Sequence, residues 1–182
     1  GLVIAFAAAV VATAGSLSVA VEPISRVLPP AGIEIPAAVR DSLESQLAKL
    51  QKRLDAFRDS TDRADVEIYG KAVDYALRHA EFYAAKDFEK ATSALAQATT
   101  RLDAIESQQA AWKRQPGLLV RGYRSRLDDS AQPYGLVIPE DVDLTKPLPL
   151  YVWLHGRGDK QTDLHFIHER EHSVGPIAPR DA

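Results

Sequence analysis

The chain has 182 residues, of which 46% are hydrophobic and 26% charged, with a formal net charge of -3. That is a globular balance, sized for one domain or a small domain plus part of another. Basic and acidic side chains are interspersed with no basic block, which gives nucleic-acid binding no electrostatic footing. There is no cysteine, so disulfides, thiolate metal ligands and a cysteine nucleophile drop out together. There is no methionine either, even at position 1, and the expectation is a chain cropped at its start.

Residues 1–21, GLVIAFAAAVVATAGSLSVAV, carry no charge. An apolar core followed by Ala12-Thr13-Ala14 or Ser18-Val19-Ala20 matches a signal peptide and its small-residue cleavage site. The rival is a membrane anchor, which needs about 20 apolar residues. Either reading predicts a secreted or periplasmic protein, with membrane association through residues 1–21 alone; the third reading is a buried helix of a globular core. Residues 22–36 hold four prolines and read as an extended linker.

Residues 37–114 contain no proline and a single glycine, Gly70. Val39, Leu43, Leu47, Leu50, Leu54 and Phe57 recur every three or four positions, as do Phe88, Ala91, Leu95, Ala98, Leu102 and Ile105. Each set forms one apolar face of a helix. Between them, residues 65–85 are expected to form a second helix. Breaks fall at residues 59–62 and at Lys86-Asp87, where Asp, Ser or Thr can cap the helix that follows. The stripes are too short for a coiled coil and predict packing within the chain.

After Trp112 the pattern changes. Residues 118–127 and 134–140 read as two strands around a turn at Asp128-Asp129-Ser130, with Pro133 at the entry of the second. Residues 150–154, LYVWL, are apolar at every position. Such a run predicts a strand covered on both faces, central and parallel in an α/β sheet. A helix is expected from Thr162 or Asp163 through LHFIHEREH.

The strand runs into His155-Gly156-Arg157-Gly158. Glycines allow positive φ and leave peptide N–H groups free to face a reacting centre. Such donors stabilise the oxyanion of an acyl-transfer intermediate. Gly156, Arg157 and Gly158 are therefore the candidate oxyanion donors, with His155 bracing the loop. Residues 65–83, 118–140 and 149–171 together resemble the N-terminal part of secreted α/β-hydrolases of the prolyl oligopeptidase-like group, of the kind found in planctomycete-type bacteria. The resemblance implies an export signal, a helical segment and a Ser–His–Asp hydrolase acting on peptide or ester bonds without a cofactor. The fold class it implies is α/β: a helical N-terminal region, then an edge hairpin and a central strand of a truncated hydrolase sheet over residues 117–182. The serine nucleophile of such folds sits in G-x-S-x-G. Beyond Trp112 the serines are Ser125, Ser130 and Ser173, none flanked in that way. Nucleophile, acid and base are thus expected outside these 182 residues, and the piece alone is expected to be inactive.

A competing motif is HEREH. His168 and His172 would share a helix face and could ligate zinc, with Glu169 as general base and His165 or Asp163 as a third ligand. The stretch is strongly charged and His172 falls at the helix end, so a solvated helix terminus is the plainer reading. A third reading is a non-enzymatic helical interaction module.

Overall fold

The computed structural model describes residues 29–154, 156 and 158–173. It is a mixed α/β arrangement of helices and one two-stranded antiparallel sheet, with half of the described residues helical. The order is α1 (Ala37–Leu54), α2 (Arg63–Arg78), α3 (Lys86–Glu106), β1 (Gly117–Arg124), β2 (Ala131–Ile138) and α4 (Asp163–His172). The signal-peptide or anchor segment lies outside the described residues. Among the described residues no helix is long and apolar enough to cross a membrane.

The apolar stripes do what their spacing predicts. Leu43, Leu50 and Leu54 of α1 and Ala91, Leu95, Ala98 and Leu102 of α3 are buried against α2, whose Val66, Ile68, Tyr69, Val73 and Ala76 are fully enclosed. The same core continues into Val120 of β1, Ala131 of β2 and Leu164 and Ile167 of α4, so the helices and the hairpin share one interior. A smaller cluster of Trp112, Leu119 and Ile138 covers the opposite sheet face.

The second helix is shorter than expected. It stops at Arg78, and Ala80 takes a left-handed φ of 52°. The Glu81 N–H then reaches back to the Ala76 carbonyl at 2.9 Å, closing a six-residue Schellman turn. This turn sends Phe82 into the core against Phe88, which a continued helix would not do. The end of α3 repeats the device, with Gln108 at φ 58° and Gln109 N–H on the Ala104 carbonyl at 2.7 Å. Both left-handed positions are exposed. A non-glycine residue in that region costs roughly 1–2 kcal/mol. Ala80→Gly and Gln108→Gly are each expected to raise stability by about 1 kcal/mol, read as a higher urea midpoint with unchanged slope. The expected side-chain capping is also absent: neither α2 nor α3 has a capping side-chain bond, and Asp87 instead accepts from the N–H groups of Tyr83 and Ala84 behind it.

In the hairpin, Gly122 of β1 faces Pro133 of β2. Proline has no N–H, so this is a pair without cross-strand bonds, and the N–H of Gly122 points outward. Asp65, in the first turn of α2, takes that N–H at 2.7 Å and binds Arg121 Nε through both oxygens at 2.8 and 2.9 Å. The outer edge of β1 is thereby closed by α2.

The expected central strand is not formed. Residues 150–154 have no assigned secondary structure, and Leu150, Tyr151, Val152, Trp153 and Leu154 are 63–89% exposed. The physical reason is pairing: a strand holds its shape through a neighbour's N–H and C=O groups, and the sheet among the described residues contains β1 and β2 alone.

Candidate functional site

Of the loop singled out by sequence, His155 and Arg157 lie outside the described residues. Gly156 lines a cavity of about 430 Å³ between α2, the start of β2 and the start of α4. Lys71 and Tyr75 of α2 and His79 just past its end, one turn apart, form one wall, and Thr162 before α4 and Phe166 within it form another. Gly158 accepts a hydrogen bond from Gln161 N–H at 3.1 Å in the turn that leads into α4. A Cβ on Gly156 would meet open space.

The α4 start forms as the sequence predicts. Thr162 caps it, its hydroxyl accepting from His165 N–H at 3.4 Å, and Asp163 pairs with Lys71 at 2.8 Å. His165 turns inward. Its Nδ1 lies 2.9 Å from the Thr162 hydroxyl and its Nε2 3.2 Å from Asp87, which is 1% exposed. Lys90 Nζ also reaches Asp87, at 2.8 Å. With Nε2 donating to the carboxylate, Nδ1 is the acceptor and the Thr162 hydroxyl donates to it.

Burial alone would raise the Asp87 pKa, but the hydrogen bonds from Lys90, Tyr83 N–H and Ala84 N–H outweigh it and hold the carboxyl below its usual range. For His165 burial prevails over the attraction of Asp87, with Lys90 opposing the charge as well, and the imidazole is lowered. His168 is lowered by burial and by its neighbour His172. A histidine lowered in the folded state binds its proton more weakly there than in the unfolded chain. Stability is therefore lost as pH falls through about 6.5 toward the folded value. Asp87 acts only lower down, below the ordinary carboxylate range of about 4. Urea unfolding at pH 7.5 and 5.5 is expected to show lower stability at 5.5, and His165→Gln to reduce that difference while His168 retains part of it.

The arrangement of HEREH does not gather a metal site. The rings of His168 and His172 lie 4.5 Å apart, but His172 Nδ1 is 2.7 Å from the carbonyl oxygen of His168 and Glu169 pairs with Arg170. The two candidate third ligands, His165 and Asp163, are engaged with Asp87 and Lys71. Among the described residues no three His, Asp or Glu side chains are placed to hold a metal ion.

Sequence reasoning missed Asp65, Asp87 and Arg101, the buried charged residues among those described. Each sits in a helix amid other charges, a pattern that normally marks a solvated face.

No protein-family model, no curated protein and no solved structure matches this chain.

Proposed function

We propose that residues 117–173 are the leading part of an α/β-hydrolase of the prolyl oligopeptidase-like class, exported by a bacterium and acting on peptide or ester bonds. In this reading the amides at residues 156–158 stabilise the oxyanion, and a serine nucleophile, an acid and a base come from outside the 182 residues. The observation that carries the reading is the run 150–154. Five consecutive large apolar side chains stand in solvent immediately before His-Gly-Arg-Gly. Such a run costs free energy unless it is covered, and covering both faces is what a central parallel strand requires. The hairpin beside it supports the same reading. The β1 outer edge is closed by Asp65, which leaves the β2 side for further strands. A parallel neighbour arrives only through a long crossover connection, which residues 29–154, 156 and 158–173 do not contain.

The test has two arms. The 182-residue chain is expected to give no p-nitrophenyl ester turnover above a heat-inactivated control and no fluorophosphonate adduct. A chain extended along its reading frame is expected to give both. In that longer chain Gly156→Pro, which deletes one loop N–H, should lower kcat by about 10²–10³-fold. Turnover by the short chain, or an extended chain that the probe never labels, would overturn the reading.

A further inference from the structure

The segment that carries the loop glycines into α4 is tied to the helical region at two points. Asp163 pairs with Lys71 of α2, and His165 pairs with Asp87 of α3. The two oxygens of Asp87 divide the work. Oδ2 accepts the N–H groups of Tyr83 and Ala84, each at 2.9 Å, while Oδ1 takes Lys90 Nζ at 2.8 Å and His165 Nε2 at 3.2 Å. An ionised carboxylate only accepts, so Nε2 carries the imidazole proton. Nδ1 is then the acceptor, 2.9 Å from the Thr162 hydroxyl that donates to it. Burial lowers the imidazole pKa and so keeps the ring neutral at pH 7.5.

Thr162 is 9% exposed, and its hydroxyl oxygen also accepts from His165 N–H at 3.4 Å. A cap alone uses the hydroxyl as an acceptor. Here its proton is used as well, so the group is fixed from both sides. The residue before it, Gln161, donates its N–H to the Gly158 carbonyl at 3.1 Å. A run of hydrogen bonds and one peptide bond thus leads from the buried carboxylate on α3 to the end of the candidate oxyanion loop. Gly156, Gln161 and Thr162 border the same cavity of about 430 Å³.

We propose, resting on the hydrolase reading above, that Asp87 and His165 are positioning residues for the oxyanion loop: the carboxylate selects the imidazole tautomer, and the imidazole holds the Thr162 hydroxyl and with it the turn that ends the loop. Peptide donors act on a transition state only when closely placed, and a shift of about 1 Å can cost roughly 10²-fold in rate. Glycine backbone has more freedom than any other, so a loop built on it needs an anchor of this kind. The helical region, residues 37–114, enters the site as the frame that holds the loop, without touching substrate.

Heteronuclear NMR of the imidazole nitrogens in the 182-residue chain at pH 7.5 reads the tautomer directly, and His165 is expected as Nε2–H. In Asp87→Asn the N–H groups of Tyr83 and Ala84 keep the amide oxygen in the place of Oδ2, so the NH2 group faces His165 and the tautomer should reverse to Nδ1–H. A chain extended along its reading frame gives the second readout. There Thr162→Val should lower kcat about tenfold or more with KM within about twofold, and Thr162→Ser should restore it. Asp87→Asn also takes the carboxylate from Lys90 and can unfold the chain, in which case the wild-type tautomer and the two Thr162 variants decide the matter. An extended chain that a fluorophosphonate labels, but whose kcat ignores Thr162→Val, overturns this proposal and spares the hydrolase reading. An extended chain that is never labelled overturns both. A wild-type Nδ1–H tautomer, or a folded Asp87→Asn chain that keeps Nε2–H, overturns the proposal as well.

Discussion

Asp65→Ala is expected to lower the stability of the chain by about 3–5 kcal/mol, the cost of breaking a buried charged pair from one side. The carboxylate is 1% exposed and each of its oxygens is used. Both bind Arg121 Nε, and Oδ1 also accepts the Gly122 N–H. Alanine leaves a partly buried guanidinium without its counter-charge and an outward strand N–H without an acceptor, and each loss is costly for the same reason: water does not replace the missing oxygen. The first turn of α2 also loses a negative charge where the helix favours one. Asn in the same place keeps one oxygen for Gly122 but turns an amide toward Arg121, so its loss should be intermediate, about 1–3 kcal/mol. Urea midpoints of the two variants check the ranking. A cycle with Arg121→Met isolates the ionic part, with a coupling of about 0.5–3 kcal/mol. An Asp65→Ala loss below about 1 kcal/mol would mean that the Asp65–Arg121 pair does not hold α2 to the hairpin, leaving apolar contact and the Glu67–Arg124 pair to do so.

What was legible in the sequence follows from how local each feature is. The faces of α1 and α3 are written at intervals of three and four residues, and the helices form where those stripes lie. The end of α2 was not legible. Its stop is a left-handed alanine, and alanine is the residue that normally argues for continuing a helix. The hairpin was legible as two strands and a turn, but β2 begins at Ala131 and runs through Pro133, because a proline whose missing N–H faces the open edge costs the ladder nothing. Residues 150–154 carry the composition of a strand and adopt no strand, since the partner groups that make one are absent from the sheet. The two site motifs fared differently. Of the loop glycines, Gly156 borders a cavity and Gly158 closes the turn into α4. His172 of HEREH is spent on the His168 carbonyl, and His165 beside the motif on Asp87. Asp65, Asp87 and Arg101 look like solvated charges when read one at a time, and only the packing of α2 against α3, β1 and α4 buries them.

Gly122→Ala tests the same junction from the backbone side, and its sign separates two physical accounts. In a strand, alanine in place of glycine is ordinarily stabilising by roughly 0.5–1 kcal/mol, because the unfolded chain loses freedom. At Gly122 a Cβ would lie 2.1 Å from the Ala64 carbonyl oxygen and 3.0 Å from the Asp65 nitrogen, both backbone atoms of α2. Backbone cannot rotate aside as a side chain can, so helix and strand must separate. Separation also lengthens the bonds from Asp65 to Gly122 N–H and Arg121. The expected loss is about 3 kcal/mol or more, the upper end of overpacking costs. It should be strongly sub-additive with Asp65→Ala, because both substitutions release the same contact. Gly135→Ala is the control on the paired strand. There the new Cβ would meet the Arg170 side chain at 2.9 Å, a flexible neighbour, and the change should stay within about 1 kcal/mol. If Gly122→Ala proved neutral or stabilising in urea unfolding, α2 would not rest on β1 at this point. The outer edge of the hairpin would then be open, and the side from which the sheet can grow would no longer be fixed.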